Sequence, residues 1–255
     1  MQLIKSIVAK WHGFINEDFI NEPFSPEEMT DLEEKYKERY KKGEHIESAY
    51  GSTLIAILTT NDFWLGLHIG DGKCVVVDSS GNYSQPIPWD EKCFLSVTTS
   101  MSDQKVIENF RYKLISDQIP MATFVASDGI DDSFSTMDDD KQLYDFYNNI
   151  VRLFSMESIE NAEKELSSYL PILSQKGSKD DISLAALLDV EAIKEWQNSL
   201  PPPPIDTKDT EYDVKDMDDN DLSEKKVECE ESSEETSDED VSIHIETTDE
   251  ISDEN

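Results

Sequence analysis

The chain has 255 residues, enough for one good-sized domain with a tail, and its 57 Asp and Glu against 22 Lys and Arg give a formal net charge of −35. That excess argues against direct binding to a nucleic-acid backbone and against polybasic attachment to anionic lipid, both of which need clustered Lys and Arg. Cys74, Cys93 and Cys229 show no metal-ligand spacing and no disulfide framework. With no run of 18 apolar residues and nothing resembling a signal peptide, the expectation is a soluble, cytoplasmic protein with no membrane contact.

In chain order, Leu3, Ile4, Ile7, Val8, Trp11, Phe14 and Ile15 recur at helical spacing and predict a helix over 3–15 that begins almost at Met1. A more charged helix is predicted from Pro26 to about Lys42, with Pro26 suited to a first turn and Gly43 to a stop. Residues 53–60, 63–69 and 73–78 are short, β-branched and apolar-rich. They are separated by Asn61-Asp62 and Gly70-Asp71-Gly72, which predicts an antiparallel meander. Residues 83–87 and 93–98 continue it, with Pro86 and Pro88 favouring an edge. A strand over 121–126 ends at Ser127-Asp128-Gly129. A clear helical stripe then runs from Leu143 to Phe154, a weaker one over 159–170, a buried strand over 182–188 and a closing helix over 190–200. Strands in runs with helices at both ends predict sheets covered by helices.

Composition changes after Pro201–Pro204. Residues 206–255 hold 22 Asp and Glu against 4 Lys, with Tyr212 as the one aromatic. Such a segment buries too little apolar surface to offset its ordering entropy, so the expected organisation is a domain over 1–200 and a disordered acidic tail over 201–255.

Three segments stand at strand ends: Gly51-Ser52-Thr53 leading on to Ile69-Gly70-Asp71-Gly72, Ser127-Asp128-Gly129-Ile130-Asp131-Asp132, and Gly177-Ser178-Lys179-Asp180-Asp181-Ile182. The second and third each put a carboxylate at the edge of an apolar strand. Carboxylates brought together by adjacent strands suit a hard divalent ion, and a water bound to such an ion has a lowered pKa. No GxSxG, HExxH or P-loop is present.

These three segments, in this order over roughly residues 50–190, resemble the motifs of the metal-dependent Ser/Thr protein phosphatases (the PPM, or type 2C, family). GST with IGDGK is similar to its GST…GDS stretch, SDGIDD to its SDG…D motif and KDDIS to its DN motif. The resemblance implies an α+β four-layer sandwich, two central antiparallel sheets between helices. It also implies two Mg2+ or Mn2+ ions, and hydrolysis of phosphoserine and phosphothreonine on proteins by direct attack of water. It matches Asp128 and Asp180 to metal ligands, with Asp181 where the family has Asn. Asp90 and Asp132 are further candidate carboxylates, the first for a third ion and the second an auxiliary group. The implied partners are phosphoprotein substrates, with a Ser/Thr kinase system as counterpart. The family's first Asp-Gly motif and its phosphate-binding Arg have no counterpart in residues 1–50, so the expectation is a domain lacking that block.

Taken singly, Asp128, Asp180 and Asp181 read as turn residues, and Asp71-Gly72 as a structural hairpin turn. Trp11, Trp64 and Trp89 read as core or motif packing, not a binding platform. His12, His45, His68 and His244 read as surface or core-edge groups, with His68 packed and hydrogen-bonded. Two alternatives stand beside active hydrolysis: a catalytically inactive member that binds phosphoproteins or a partner, and an unrelated acidic α/β protein whose motifs are coincidental turns.

Overall fold

The structure, a computed structural model, describes residues 1–94, 97–134 and 140–200, together with the backbone of 244–245. Side-chain alternation along the strands decides its layering. In β2 (Trp64–Ile69), Leu65, Leu67 and Ile69 share one face while Trp64, Gly66 and His68 share the other. Antiparallel pairing of β1 (Leu54–Thr59) and β5 (Arg111–Ile115) on either side of β2 extends both faces into a sheet of order β1-β2-β5. A second sheet is built from β3 (Lys73–Val77), β4 (Tyr83–Ser84), β6 (Ala122–Ala126) and β7 (Leu184–Leu188), in the order β4-β3-β6-β7, again antiparallel. A two-residue strand, β8 (His244–Ile245), lies parallel to β7 at its outer edge.

Between the sheets, Trp64, Cys74, Val76 and Ile87 are buried together, and the Trp64 indole N–H crosses the interface to Thr123 Oγ1 at 3.0 Å. Behind the first sheet, α1 (Gln2–Asn21) and the short α3 (Val106–Asn109) set Ile4, Val8 and Val106 against Leu67 and Ile69. Behind the second lie α5 (Lys141–Met156), α6 (Ile159–Lys176) and α7 (Val190–Ser199). There Tyr147, Phe154 and Ile193 close over Val75, Val77 and Phe124. Each such large side chain contributes about 1.5–3 kcal/mol by leaving water. The layers therefore run helix, sheet, sheet, helix, which is the expected fold class.

Several elements depart from the sequence expectation. The meander breaks at Gly70-Asp71-Gly72: β2 belongs to the first sheet and β3 to the second, so this turn carries the chain between sheets. The helix expected from Pro26 is reduced to α2 (Glu34–Lys41), preceded by turns. A reciprocal pair between Ser25 and Glu28 opens a first turn there. The sequence that follows carries Glu27, Glu28, Asp31, Glu33 and Glu34 with no Lys or Arg between positions 26 and 34, an unfavourable helix pattern, and the bonds are of the i→i+3 type at Thr30 and Leu32. The strand expected over 93–98 is only an isolated bridge between Phe94 and Val97, with 95–96 outside the described residues. Strand β5 was not anticipated, because its Arg-Tyr-Lys-Leu-Ile sequence carries two charges in five residues and lies at a sheet edge. The expected acidic tail falls outside the described residues, the His244–Ile245 pair excepted. No described helix is long and apolar enough to cross a membrane.

Candidate functional site

Strand β6 is apolar through Ala126 because both its faces are covered. Where that cover ends, the chain turns at Ser127-Asp128-Gly129 into a single helical turn, α4 (Asp128–Asp131). Ser127 holds this corner to the strand that follows α6: its N–H donates to Ser183 O at 3.0 Å, its Oγ accepts from Ser183 N at 3.0 Å and donates to Asp181 O at 3.2 Å. Gly129 completes the contact, because a Cβ there would lie 2.5 Å from Asp181 O. One layer further back, the Ser133 and Ser178 hydroxyls both donate to Gly129 O at 2.8 Å. The SDG corner and the 177–183 loop are thus one hydrogen-bonded unit.

The sheet-switching turn approaches from the other side. A Cβ on Gly72 would lie 2.5 Å from Ala126 O, so only glycine lets this turn sit against the end of β6. The Arg111 guanidinium holds the turn from behind, donating to Gly70 O and to Pro88 O. Thr99 Oγ1 accepts from Gly70 N at 3.1 Å. The result is an open cleft of about 300 Å³ at one end of the sandwich, lined by Thr53, Asp71, Gly72, Ser127, Asp128 and Ser183 among others.

Asp71 and Asp128 therefore share one cleft wall. Burial raises the Asp128 carboxyl above the usual carboxylate range, and the charge of Asp71 is the largest neighbouring contribution in the same direction, followed by Asp180 and Asp132. A hydrogen bond from Gly129 N to the Asp128 carboxylate at 3.0 Å opposes this. Apolar residues such as Ile55 and Val125 also line the cleft, but its polar side chains are all oxygen donors, and with two repelling carboxylates they fit a small hard cation in charge and donor type. Among the described residues no three His, Cys, Asp or Glu side chains are grouped closely enough to hold a metal between them. That arrangement still suits Mg2+, which is commonly held by one or two carboxylates and keeps several waters.

The four carboxylates named from sequence separate into two sets. Asp128, Asp132 and Asp180 are neighbours electrostatically; Asp180 and Asp132 are exposed, and Asp180 Oδ1 accepts from Asp181 N at 2.8 Å. Asp90 stands apart as a buried hub, accepting from Lys92 N at 3.1 Å and Thr99 Oγ1 at 3.0 Å, with Arg111 Nε 3.7 Å away. Both its oxygens are engaged within the protein. His68 is buried beside it, but Nε2 has no hydrogen-bond partner, so the packed half of its expectation holds and the hydrogen-bonded half does not. Burial and the Arg111 charge push its pKa down to about 3.

Sequence reasoning passed over Asp71 because a sheet-switching corner and a hairpin turn look alike in one dimension. The stapling serines 127, 133 and 178 carried no signal beyond their presence in the motifs. Trp89 was also misread: it is half-exposed, where packing was expected.

A family model described as protein phosphatase 2C matches residues 1–171, a span that contains Asp71 and Asp128 and ends before Asp180. Among solved structures, the chain is similar to a bacterial serine phosphatase bearing a point mutation, at 21% identity and TM-score 0.36, covering 52% of this chain and 51% of that one. It is similar to the catalytic domain of the serine/threonine phosphatase PstP in complex with 2 manganese ions, at 15% identity and TM-score 0.37, covering 72% and 79%. The third is the serine/threonine phosphatase Stp1 from Staphylococcus aureus, at 17% identity and TM-score 0.37, covering 60% and 68%. At such TM-scores the likeness decides nothing about the site. The chain spans about half the length of the first of these structures. No curated protein matches.

Proposed function

Because the chain belongs to the protein phosphatase 2C family, we propose that it hydrolyses phosphoserine and phosphothreonine esters on proteins with the help of Mg2+ or Mn2+ held in the Asp71–Asp128 cleft. The observation that carries this reading is the meeting of those two carboxylates at a corner that only Gly72 and Gly129 allow to close. Asp128 and Asp71 are the ligands nearest the cleft, with Asp180 and Asp132 able to add charge from its rim; Asp90 is a structural hub in this reading. The ion, when bound, supplies a water of lowered pKa and neutralises charge on the phosphoryl oxygens. The chain's own contribution is placement. Gly129 N–H fixes one oxygen of Asp128, the serine staples hold α4 against the 177–183 loop, and Arg111 holds the Asp71 turn. We assign the reaction to the cytoplasm, consistent with the free thiols of Cys74 and Cys93. Its substrates would then be phosphoproteins made by a Ser/Thr kinase.

A second reading follows from the lack of a three-ligand group among the described residues: the cleft binds a phosphoprotein or partner without turning it over. Phosphate release from a phosphoserine peptide, measured with and without Mn2+, separates the two. Turnover abolished by chelator and by Asp128→Ala supports hydrolysis. Peptide binding without release supports the second reading, and metal-independent turnover that survives Asp128→Ala overturns both. Mn2+ should also raise the unfolding free energy of the wild-type chain, by about 2.7 kcal/mol at a hundred times its Kd, and leave Asp128→Ala unmoved.

A further inference from the structure

We propose that Trp89 is an aromatic platform at the rim of the cleft, on which the polypeptide flanking the phosphorylated residue lies. This rests on the phosphatase reading for what fills the cleft, and adds how that substrate is gripped. Of the four tryptophans, Trp64, Trp11 and Trp196 belong to the three apolar clusters, whereas Trp89 leaves 49% of its surface in water. Exposure alone would say little. What distinguishes Trp89 is that it is exposed and held.

Its backbone is fixed on both sides: Pro88 O accepts from Arg111 Nη1 at 3.0 Å, and Asp90 is the buried hub already described. Its ring is fixed as well, because Lys73 Nζ lies 4.3 Å from the ring centroid in cation–π geometry. Lys73 is itself anchored, its ammonium 3.5 Å from Asp131 Oδ2 with both side chains largely buried.

Those anchors place the ring. Lys73 follows Gly72 and pairs in register with Ala126, and both of these line the cleft. Asp131 closes the helical turn that Asp128 begins. Through Lys73 the indole is thereby tied both to the Gly72 turn and to the α4 turn that flank the cleft, and Phe94 and Val97, which follow it in the chain, are exposed. A pre-ordered indole offers a large contact area at little further entropy cost, which is why tryptophan dominates binding hot spots. One ring face already carries a cation, so the free face favours an apolar side chain over a second ammonium.

The test uses the full chain labelled with 15N and follows the tryptophan indole N–H resonances, with that of Trp89 assigned by its loss in Trp89→Phe. The probes are a phosphoserine peptide with leucine and valine beside the phosphoserine, its unphosphorylated twin, and phenyl phosphate. Both peptides should shift the Trp89 resonance and leave that of the buried Trp64 in place. Trp89→Ala should weaken the phosphopeptide about tenfold, a loss at least five times larger than for phenyl phosphate, and Trp89→Phe should recover part of it. A Trp89 signal unmoved by saturating phosphopeptide, or an alanine variant that binds the peptide as wild type does, overturns the platform. Equal binding of the two peptides with the Trp89 shift retained would keep the platform and sink the phosphatase reading. Manganese-dependent hydrolysis of phenyl phosphate with Trp89 silent to every peptide would do the reverse.

Discussion

Glycine 129 and glycine 13 make opposite demands on the same substitution. A Cβ at Gly129 would meet a backbone oxygen, Asp181 O, at 2.5 Å, and a backbone atom cannot swing aside as a side chain can. Gly129→Ala should therefore cost about 1–3 kcal/mol and loosen the corner that carries Asp128. Gly13 lies inside α1 with nothing within 4 Å of an added Cβ, so Gly13→Ala should stabilise the chain by about 0.5–1 kcal/mol. Urea unfolding of both variants checks the pair of signs. His68 supplies a pH dependence at the same scale. Its pKa in the folded chain, about 3, lies below the ordinary value of 6.5. A depressed pKa means the unfolded chain binds the proton first, so the stability from burying neutral His68 is complete above pH 6.5. It is lost as pH falls from there toward 3, with a slope approaching about 1.4 kcal/mol per pH unit. His68→Leu should flatten the decline between pH 6.5 and 4 relative to wild type. Parallel curves for the two chains would show that His68 does not contribute.

Elements were legible where their periodicity is strong and their caps are local. Helices α1, α5 and α7 and strands β1, β2, β3, β6 and β7 all lie where the apolar pattern puts them. The pattern of a strand says which face is buried, but not which strand will be its neighbour. Hence Gly70-Asp71-Gly72 read as a hairpin, and the carboxylate it delivers to the cleft was taken for a turn residue. Asp128 and Asp180 were recognisable only through motif order, because the serines and glycines that bring their loops together act through backbone contacts no single sequence displays. The interface between α5 and β6 offers a test at this scale. Tyr147 packs on Phe124 with ring centroids 4.7 Å apart, and its buried hydroxyl has no hydrogen-bond partner. A buried, unsatisfied hydroxyl is a cost that the ring's packing must offset. Tyr147→Phe keeps the ring and removes the cost, so it should be neutral or stabilising by up to about 1 kcal/mol in urea unfolding. A loss of more than about 1 kcal/mol would show that the hydroxyl has a partner, such as a buried water shared with the unpartnered Asp131 Oδ1.

At the scale of the whole molecule, charge is divided into two nearly equal parts. Residues 206–255 carry 22 acidic groups against 4 Lys, a net of −18, which leaves −17 of the total −35 for the remainder. Two such bodies repel each other, and the repulsion is screened within about 8–10 Å at physiological salt. We infer that the domain ends near the proline run and that the segment after it contributes little to folding. The one described link is the two-residue pairing of His244–Ile245 with β7. A pairing that short is worth on the order of 1 kcal/mol net. For a domain of this size such a contribution moves the thermal midpoint by about 2–4 °C. Deleting residues 206–255 should therefore lower the midpoint by no more than about 4 °C at physiological salt. At low salt, removing the like charge should offset part of even that fall, so the truncated chain should also show a weaker salt dependence. A midpoint lower by ten degrees or more, unchanged by salt, would mean that the acidic segment packs against the domain through apolar contacts and belongs to the folded unit.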